Sequence, residues 1–278
     1  MIARFETLKA WRSRRPLLAF LTLLLFVVLM LVGFYTYAQN ETGGNAEFRY
    51  TFENSSYFNG LTFSVYAFYF AFLLLFPIFA ATEGGAQIAG ETSGGTLALM
   101  LTRPVSRANV FLTKFGVASL GLTMSVGLFL LSTLGIGLLA VGWGDLDLYP
   151  GVLQMTDSYQ HLEQSEALWR FAMCWPAASL ALLVPLSLAF LISTWARSPV
   201  NAAGASVSTY LVLYVVSEIH FFKELRPFLF TSAMPYWRGL FRQEIEWGVI
   251  LTDAAKLGGF AALFLALALM RFRTRQES

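Results

Sequence analysis

The chain has 278 residues, of which 56% are hydrophobic and only 13% are charged, with a formal net charge of +2. Soluble domains carry about 25% charged residues, so the composition excludes an ordinary soluble domain and indicates a membrane protein. The small net charge argues against a nucleic-acid partner, and the single cysteine, Cys174, excludes an intrachain disulfide.

The first segment, residues 1–16, is predicted to be a helix lying in the membrane interface. Ile2, Phe5, Leu8 and Trp11 form an imperfect apolar stripe along it. Basic side chains accompany the stripe at Arg4, Lys9, Arg12, Arg14 and Arg15. Such side chains reach lipid phosphates while the apolar stripe rests on the acyl chains. A plain positively charged anchor is a second interpretation, and it is compatible with the first.

Six apolar runs follow, and each is long enough to cross a membrane, for which about 20 apolar residues are needed. They cover residues 17–38, 60–82, 107–141, 171–194, 200–217 and 247–270. We therefore predict an all-α integral membrane protein, a single transmembrane domain of residues 1–278 with six spanning helices. The third run exceeds what a bilayer requires, so we expect it to tilt or to extend beyond the membrane.

A polar, glycine-rich segment, residues 83–106, separates the second and third runs. It should lie outside the hydrocarbon core, because lipid offers no partners for free backbone groups. Within it, Thr96–Thr102 is predicted to form a short helix, since Leu97, Met100 and Leu101 fall at i, i+3 and i+4 and share one face. An apolar face on a short surface helix requires lipid or a partner protein to cover it.

Breaking and capping residues bound this short helix. Gly94 and Gly95 interrupt the chain before it, and Pro104 ends it. Ser106 then stands where it can cap the next long helix.

The segment resembles the membrane subunit of ABC-2-type transporters. The residues that carry the resemblance, in order, are Glu91, Gly95, Thr96, Leu97, Leu101, Pro104, Arg107 and Lys114. In that family the short helix is a coupling helix that docks into a cytoplasmic ATPase. The resemblance therefore implies an ATPase-coupling role for Glu83, Glu91, Gly94, Gly95, Thr96, Leu97, Met100, Leu101, Arg103, Pro104 and Arg107. The alternative is an ordinary cytoplasmic loop of some other six-span protein.

The resemblance also implies an overall function. The chain would be the transmembrane permease subunit of an ATP-driven transporter, expected to be an exporter. Two ATPase subunits would bind ATP and Mg on separate chains, and a second permease subunit would complete the assembly, either as a homodimer or with a related chain. The expected surroundings are the lipids of the plasma (inner) membrane. An interfacial elbow helix at the N-terminus belongs to the same expectation.

The connection between the last two runs, residues 218–246, mixes aromatic with basic side chains. Its members are Phe221, Phe222, Lys223, Arg226, Phe228, Phe230, Tyr236, Trp237, Arg238, Phe241 and Arg242. This mixture is typical of an interfacial or partly re-entrant helical pair, and the resemblance implies re-entrant helices on the outer face. An ordinary interfacial loop is the alternative.

Two further sites stand out within the runs. Ala203, Gly204 and Ser208 offer a surface of small residues that permits close helix contact, and we predict a dimer interface there. Asp253 and Lys256 are an ionisable pair inside the last run, three residues apart on one helix face. Charges within a span are costly and usually functional, so the pair is either a structural ion pair or part of a substrate path.

The sequence shows no catalytic constellation. No GxxxxGK[ST] motif occurs, so the glycine pairs, including Gly84 and Gly85, are interpreted as turns or hinges rather than phosphate loops. His161 and His220 lie outside the spans, and no cluster has metal-ligand spacing. We therefore predict no catalytic and no metal site in this chain. Two alternatives to transport stay open: a membrane scaffold that binds a cytoplasmic partner, and an intramembrane enzyme.

The basic residues predict the orientation. With the N-terminus inside, inner segments hold Arg4, Lys9, Arg12, Arg14, Arg15, Arg103, Arg107, Lys114, Arg197, Arg271, Arg273 and Arg275. Outer segments hold Arg49, Arg170, Lys223, Arg226, Arg238 and Arg242. The excess inside predicts that both termini and residues 83–106 are cytoplasmic.

Overall fold

The computed structural model of the chain describes residues 15–41, 59–95, 106–149 and 158–274. Most of the predicted interfacial helix, residues 1–16, therefore lies outside the described residues. So does the predicted coupling helix, together with Leu97, Met100, Leu101, Arg103 and Pro104.

Six long helices account for most of the described chain, and all six are long and apolar enough to cross a membrane. Their bounds are α1 Arg15–Glu41, α2 Gly60–Ser93, α3 Arg107–Ala140, α4 Gln164–Ser193, α5 Pro199–Glu218 and α6 Trp247–Thr274. The prediction of a six-helix membrane protein is confirmed. The helices also extend past several predicted span ends, because a helix does not stop where its hydrophobic stretch does.

Helix α4 forms the centre of the bundle. Its most apolar stretch is 72% buried, against 17% for α1 and 11% for α6, which lie at the periphery. It contains Pro176 and Pro185 and still runs without interruption. It begins at Gln164 rather than at Phe171, because its first turns also bury side chains, among them Ala167.

Helix α2 differs most from the prediction. It does not end near Thr82 but continues through the polar stretch to Ser93, a total of 34 residues. At 1.5 Å per residue it is about 51 Å long, which exceeds a hydrocarbon core of about 30 Å. The polar stretch from Glu83 is therefore a helical extension of the second span, with its backbone hydrogen bonds satisfied internally.

A π-helical turn, Ala71–Leu75, interrupts α2 shortly before Pro77. Proline has no backbone N–H, so the carbonyl of Leu73 loses the partner four residues later that an α-helix would provide. The hydroxyl of Tyr210 on α5 donates to that carbonyl at 3.1 Å. The irregular turn is thus tied to a neighbouring helix, as expected for non-helical backbone hydrogen bonding in a membrane protein.

A short antiparallel hairpin lies between α3 and α4, an addition to the predicted all-α architecture. Strand β1, Leu146–Leu148, pairs with β2, Gln160–Leu162, and Asp147 stands opposite His161. Leu146, Leu148 and Leu162 are buried beneath it. The side chain of Asn59 caps the start of α2 and donates to the Asp145 carbonyl at 2.7 Å, so the hairpin lies where α2 begins and α3 ends. We call this side of the molecule the hairpin end.

The connection before α6 is helical, as expected. It consists of a 3₁₀ segment, His220–Phe228, an α-turn, Phe230–Ala233, and a second 3₁₀ segment, Met234–Phe241. The first segment buries no side chain, whereas the second inserts Trp237 into the bundle. The Trp237 ring meets Phe68 and Phe72 edge-on, with centroids 4.8 and 5.5 Å away. The re-entrant path relative to the membrane stays a prediction.

Candidate functional site

The site of interest is the α2–α3 end, where α2 finishes and α3 starts, with residues 96–105 joining them. We define it by Glu83–Gly95 of the α2 side and Ser106–Lys114 of the α3 side. Its geometry is set by two glycines, one serine and one ion pair.

Because Gly84 and Gly85 have no side chains, the backbone of α2 can contact the backbones of α4 and α5 directly. A Cβ on Gly84 would lie 2.7 Å from the Leu186 carbonyl oxygen of α4, and one on Gly85 would lie 2.8 Å from the Ala203 nitrogen of α5. Both glycines are helical and buried. The interpretation of this pair as a turn is therefore wrong, because both glycines are helical and their missing side chains serve helix packing.

The Ser193 hydroxyl completes this contact from the end of α4. It donates to the Gly85 carbonyl at 2.7 Å and accepts from the amides of Ile88 and Ala89 at 3.1 and 2.9 Å. The side chain is fully buried. Ser193 could not be recognised from sequence, because a serine in an apolar run gives no sign of a partner more than 100 positions away.

Glu91 and Lys114 form a buried ion pair between α2 and α3. The Lys114 Nζ lies 2.5 Å from the Glu91 Oε1, and the two side chains are 2% and 5% exposed, respectively. The ATPase-coupling role that the resemblance implies for Glu91 stays a prediction, and the structure shows its carboxylate buried and facing Lys114 of α3.

The remaining predicted residues of the segment mark the two helix ends. Gly94 caps α2. Gly95 has a φ of 65°, a left-handed conformation that is common at helix C-termini and that glycine adopts more easily than other residues. Ser106 accepts from the Asn109 amide at 3.2 Å, which confirms the predicted cap of α3. Glu83 is exposed and Arg107 is half-buried at the first position of α3.

The predicted dimer surface on α5 divides into two parts. Ala203 is half-buried and packs against Gly85 of the same chain, so it faces the interior. Gly204 and Ser208 lie on the exposed face, and a Cβ on Gly204 would meet nothing within 4 Å. Only these two of the three residues stay available for a second subunit.

Asp253 and Lys256 on α6 do interact, with 3.2 Å between the Lys256 Nζ and the Asp253 Oδ1. The lysine side chain is 48% exposed and the aspartate 24%. The pair lies in the first part of α6 and is distant in sequence from the α2–α3 end. A role in a substrate path stays a prediction. In the described ranges, no group of three or more His, Cys, Asp or Glu is arranged to hold a metal ion.

The hairpin end is held together by Arg170, a buried residue of α4. Its guanidinium donates to the carbonyls of Leu240, Arg242 and Gln243 and pairs with Glu166. These contacts fix the connection before α6 onto α4. They explain why a basic residue can be buried in the first turns of a central helix.

On the hairpin itself, the Asp147 carboxylate accepts from the Tyr159 hydroxyl at 2.6 Å and from the His161 Nδ1 at 2.8 Å. The hydrogen bond to Asp147, with burial and nearby negative charge, raises the pKa of Tyr159 to about 12. The same carboxylate, opposed by partial desolvation, raises the pKa of His161 above its ordinary 6.5.

We expect the His161 pKa to fall when Asp147 is replaced by asparagine, because the imidazolium then loses its acceptor carboxylate. A raised folded-state pKa means that the contact stabilises the hairpin fully below about pH 6.5 and loses this contribution as pH rises through the folded pKa. An NMR titration in a His220→Gln background measures His161 alone, since the chain has two histidines. An unchanged His161 pKa in Asp147→Asn would contradict the assigned partner.

In a comparison with known protein families, a family model described as ABC-2 family transporter protein matches residues 1–276. No curated protein matches the chain significantly.

Proposed function

The chain belongs to the ABC-2 transporter family, and from that membership we propose that it is the permease subunit of an ATP-driven exporter whose ATPase is a separate chain. Membership makes it a multi-pass membrane transporter subunit and implies an ABC ATPase as its partner. The proposal adds that residues 83–106 receive the ATPase, that transport is outward and that this chain performs no covalent chemistry.

The observation that carries the proposal is the extension of α2 beyond the length that a bilayer requires. Its polar end, Glu83–Ser93, is held against α4 and α5, and α3 begins beside it. Gly95 and Ser106, the described residues on either side of residues 96–105, therefore both lie at this end of the bundle. A short helix with an apolar face at this position would be anchored to the spanning helices. It could therefore transmit a movement of the ATPase to them.

We propose that the complex contains two permease subunits and two ATPase subunits. Gly204 and Ser208 on the exposed face of α5 are the surface offered to the second permease subunit, since small residues allow helices to approach closely in lipid. The substrate would pass between the permease subunits. ATP and Mg would be bound by the ATPase chains.

The decisive experiment is co-expression with a candidate ABC ATPase chain from the same genome, followed by purification through a tag on the permease alone. The proposal expects the ATPase to co-purify and its rate of ATP hydrolysis to change in proteoliposomes relative to the ATPase alone. Binding without any effect on ATP hydrolysis would favour the scaffold alternative. No binding in detergent or lipid would overturn the proposal.

We propose that both termini and the α2–α3 end face the cytoplasm, following the basic residues. Two exposed serines at opposite ends test this: Ser93→Cys should be labelled only from the cytoplasmic side and Ser165→Cys only from outside. The native Cys174 is fully buried and should give little background. A membrane-impermeant maleimide applied to intact cells measures the difference, and labelling of Ser93→Cys from outside would reverse the proposed orientation.

A further inference from the structure

We propose that Glu91 and Lys114 are a positioning pair, which holds at a fixed spacing the two helix ends between which the ATPase-docking segment runs. The inference rests on the proposed function and deepens it by naming residues that pass the movement on. Neither residue need touch the ATPase or the substrate.

The pair closes a loop that contains the whole docking segment. Glu91 lies in the last turn of α2 and Lys114 in the second turn of α3, so residues 92–113 run out from the pair and back to it. The 2.5 Å separation and the near-complete burial of both side chains make this a direct contact shielded from water. Low dielectric strengthens such a contact and makes the loss of either charge costly.

Stability alone does not call for an ion pair here. Burying two charges costs desolvation energy, and well-packed apolar side chains commonly give equal or greater stability. What the pair adds is a specific contact, in which the Lys114 ammonium of α3 faces the Glu91 carboxylate of α2. This is the property that matters if two helix ends must stay aligned while the segment between them is displaced.

The contacts of the two helix ends show what the pair connects. On the α2 side, Gly84, Gly85 and Ser193 bind the helix to α4 and α5. On the α3 side, Phe111 packs against Phe272 of α6 with ring centroids 5.6 Å apart, and also against Phe190 of α4. The Glu91–Lys114 contact therefore joins the helix ends on which α4, α5 and α6 converge.

The first test needs no ATPase. Spin labels at the exposed positions Ser93→Cys and Asn109→Cys report the distance between the two helix ends in nanodiscs. The parent chain should give a narrow distance distribution. Glu91→Gln, which keeps the shape and removes the charge, should broaden or shift it, and the exchange Glu91→Lys with Lys114→Glu should restore it. Asp253→Asn, which breaks the ion pair of α6, is the matched control and should leave the distribution narrow.

The second test uses the complex with the ATPase. Glu91→Gln should leave the ATPase bound but reduce the permease-dependent change in ATP hydrolysis roughly 5-fold or more, the scale typical of a lost coupling between sites. The charge exchange should recover most of it. A merely structural role would instead lower thermal stability and binding together, without rescue by the exchange.

The outcomes separate the two proposals. If the parent chain neither binds the ATPase nor alters ATP hydrolysis, the proposed function fails, while the spin-label distances still decide the positioning role. If the parent complex responds normally and Glu91→Gln matches it in both distance and ATP hydrolysis, the positioning role is overturned and the proposed function stands. A charge exchange that behaves like Glu91→Gln in both readouts also overturns it.

Discussion

Replacing Leu97 and Leu101 together with aspartate is expected to abolish co-purification of the ATPase while the permease still inserts and folds. Both leucines lie on the predicted apolar face of the docking helix, and burying one such side chain contributes about 1.5–3 kcal/mol. Losing two should weaken binding by at least about 100-fold, given about 1.4 kcal/mol per tenfold change in affinity. Pull-down and ATP hydrolysis measure the loss.

The matched control adds two negative charges beside the segment rather than on its apolar face. Ser93→Asp with Asn109→Asp changes exposed positions on the α2 and α3 sides. Exposed charge pairs contribute only about 0–1 kcal/mol, so binding should fall much less than in the leucine double variant. If both double variants bind equally well, residues 96–102 are not the docking helix.

The second large effect is expected at Gly85, where alanine should destabilise the protein, whereas alanine at Gly204 should not. A Cβ on Gly85 would lie 2.8 Å from the backbone nitrogen of Ala203 and 2.9 Å from its Cα, and backbone atoms cannot rotate away. Forcing atoms into a packed contact commonly costs about 1–3 kcal/mol. Gly85→Ala should therefore lower the thermal unfolding temperature and the yield of monodisperse protein.

Gly204→Ala is the matched variant on the facing helix, one residue after Ala203. Its Cβ would meet nothing within 4 Å, and alanine is favoured over glycine inside a helix by about 0.5–1 kcal/mol. Gly85→Ala should thus lower the unfolding temperature, whereas Gly204→Ala should raise it or leave it unchanged. A Gly85→Ala variant as stable as the parent chain would show that the approach of α2 to α5 is not as close as described.

The sequence by itself determined the number of spanning helices and the family. Both depend on signals that are local in the chain, namely runs of apolar residues and a short ordered motif around Glu91, Thr96 and Pro104. The Ser106 cap was also predictable, because capping needs only the residue before a helix and an amide three positions later.

Helix ends and side-chain orientation were less accessible from sequence. The end of α2 was placed at Thr82 because polarity begins there, but polarity indicates where the hydrocarbon core ends and not where the helix ends. Gly84 and Gly85 favoured a break for the same local reason. The structure places them in helical contact with α4 and α5, whose sequence positions lie about 100 residues away.

Only the tertiary structure decided what the polar residues at the α2–α3 end do. From sequence, Glu91 had only the ATPase-coupling role implied by the resemblance, and in the structure it is a buried partner of Lys114. Ser193 had no predicted role and holds three backbone groups of α2. The physical reason is that a buried charge or hydroxyl acquires its role from the group facing it. In a helical bundle that group comes from another helix, at a sequence separation that no local pattern encodes.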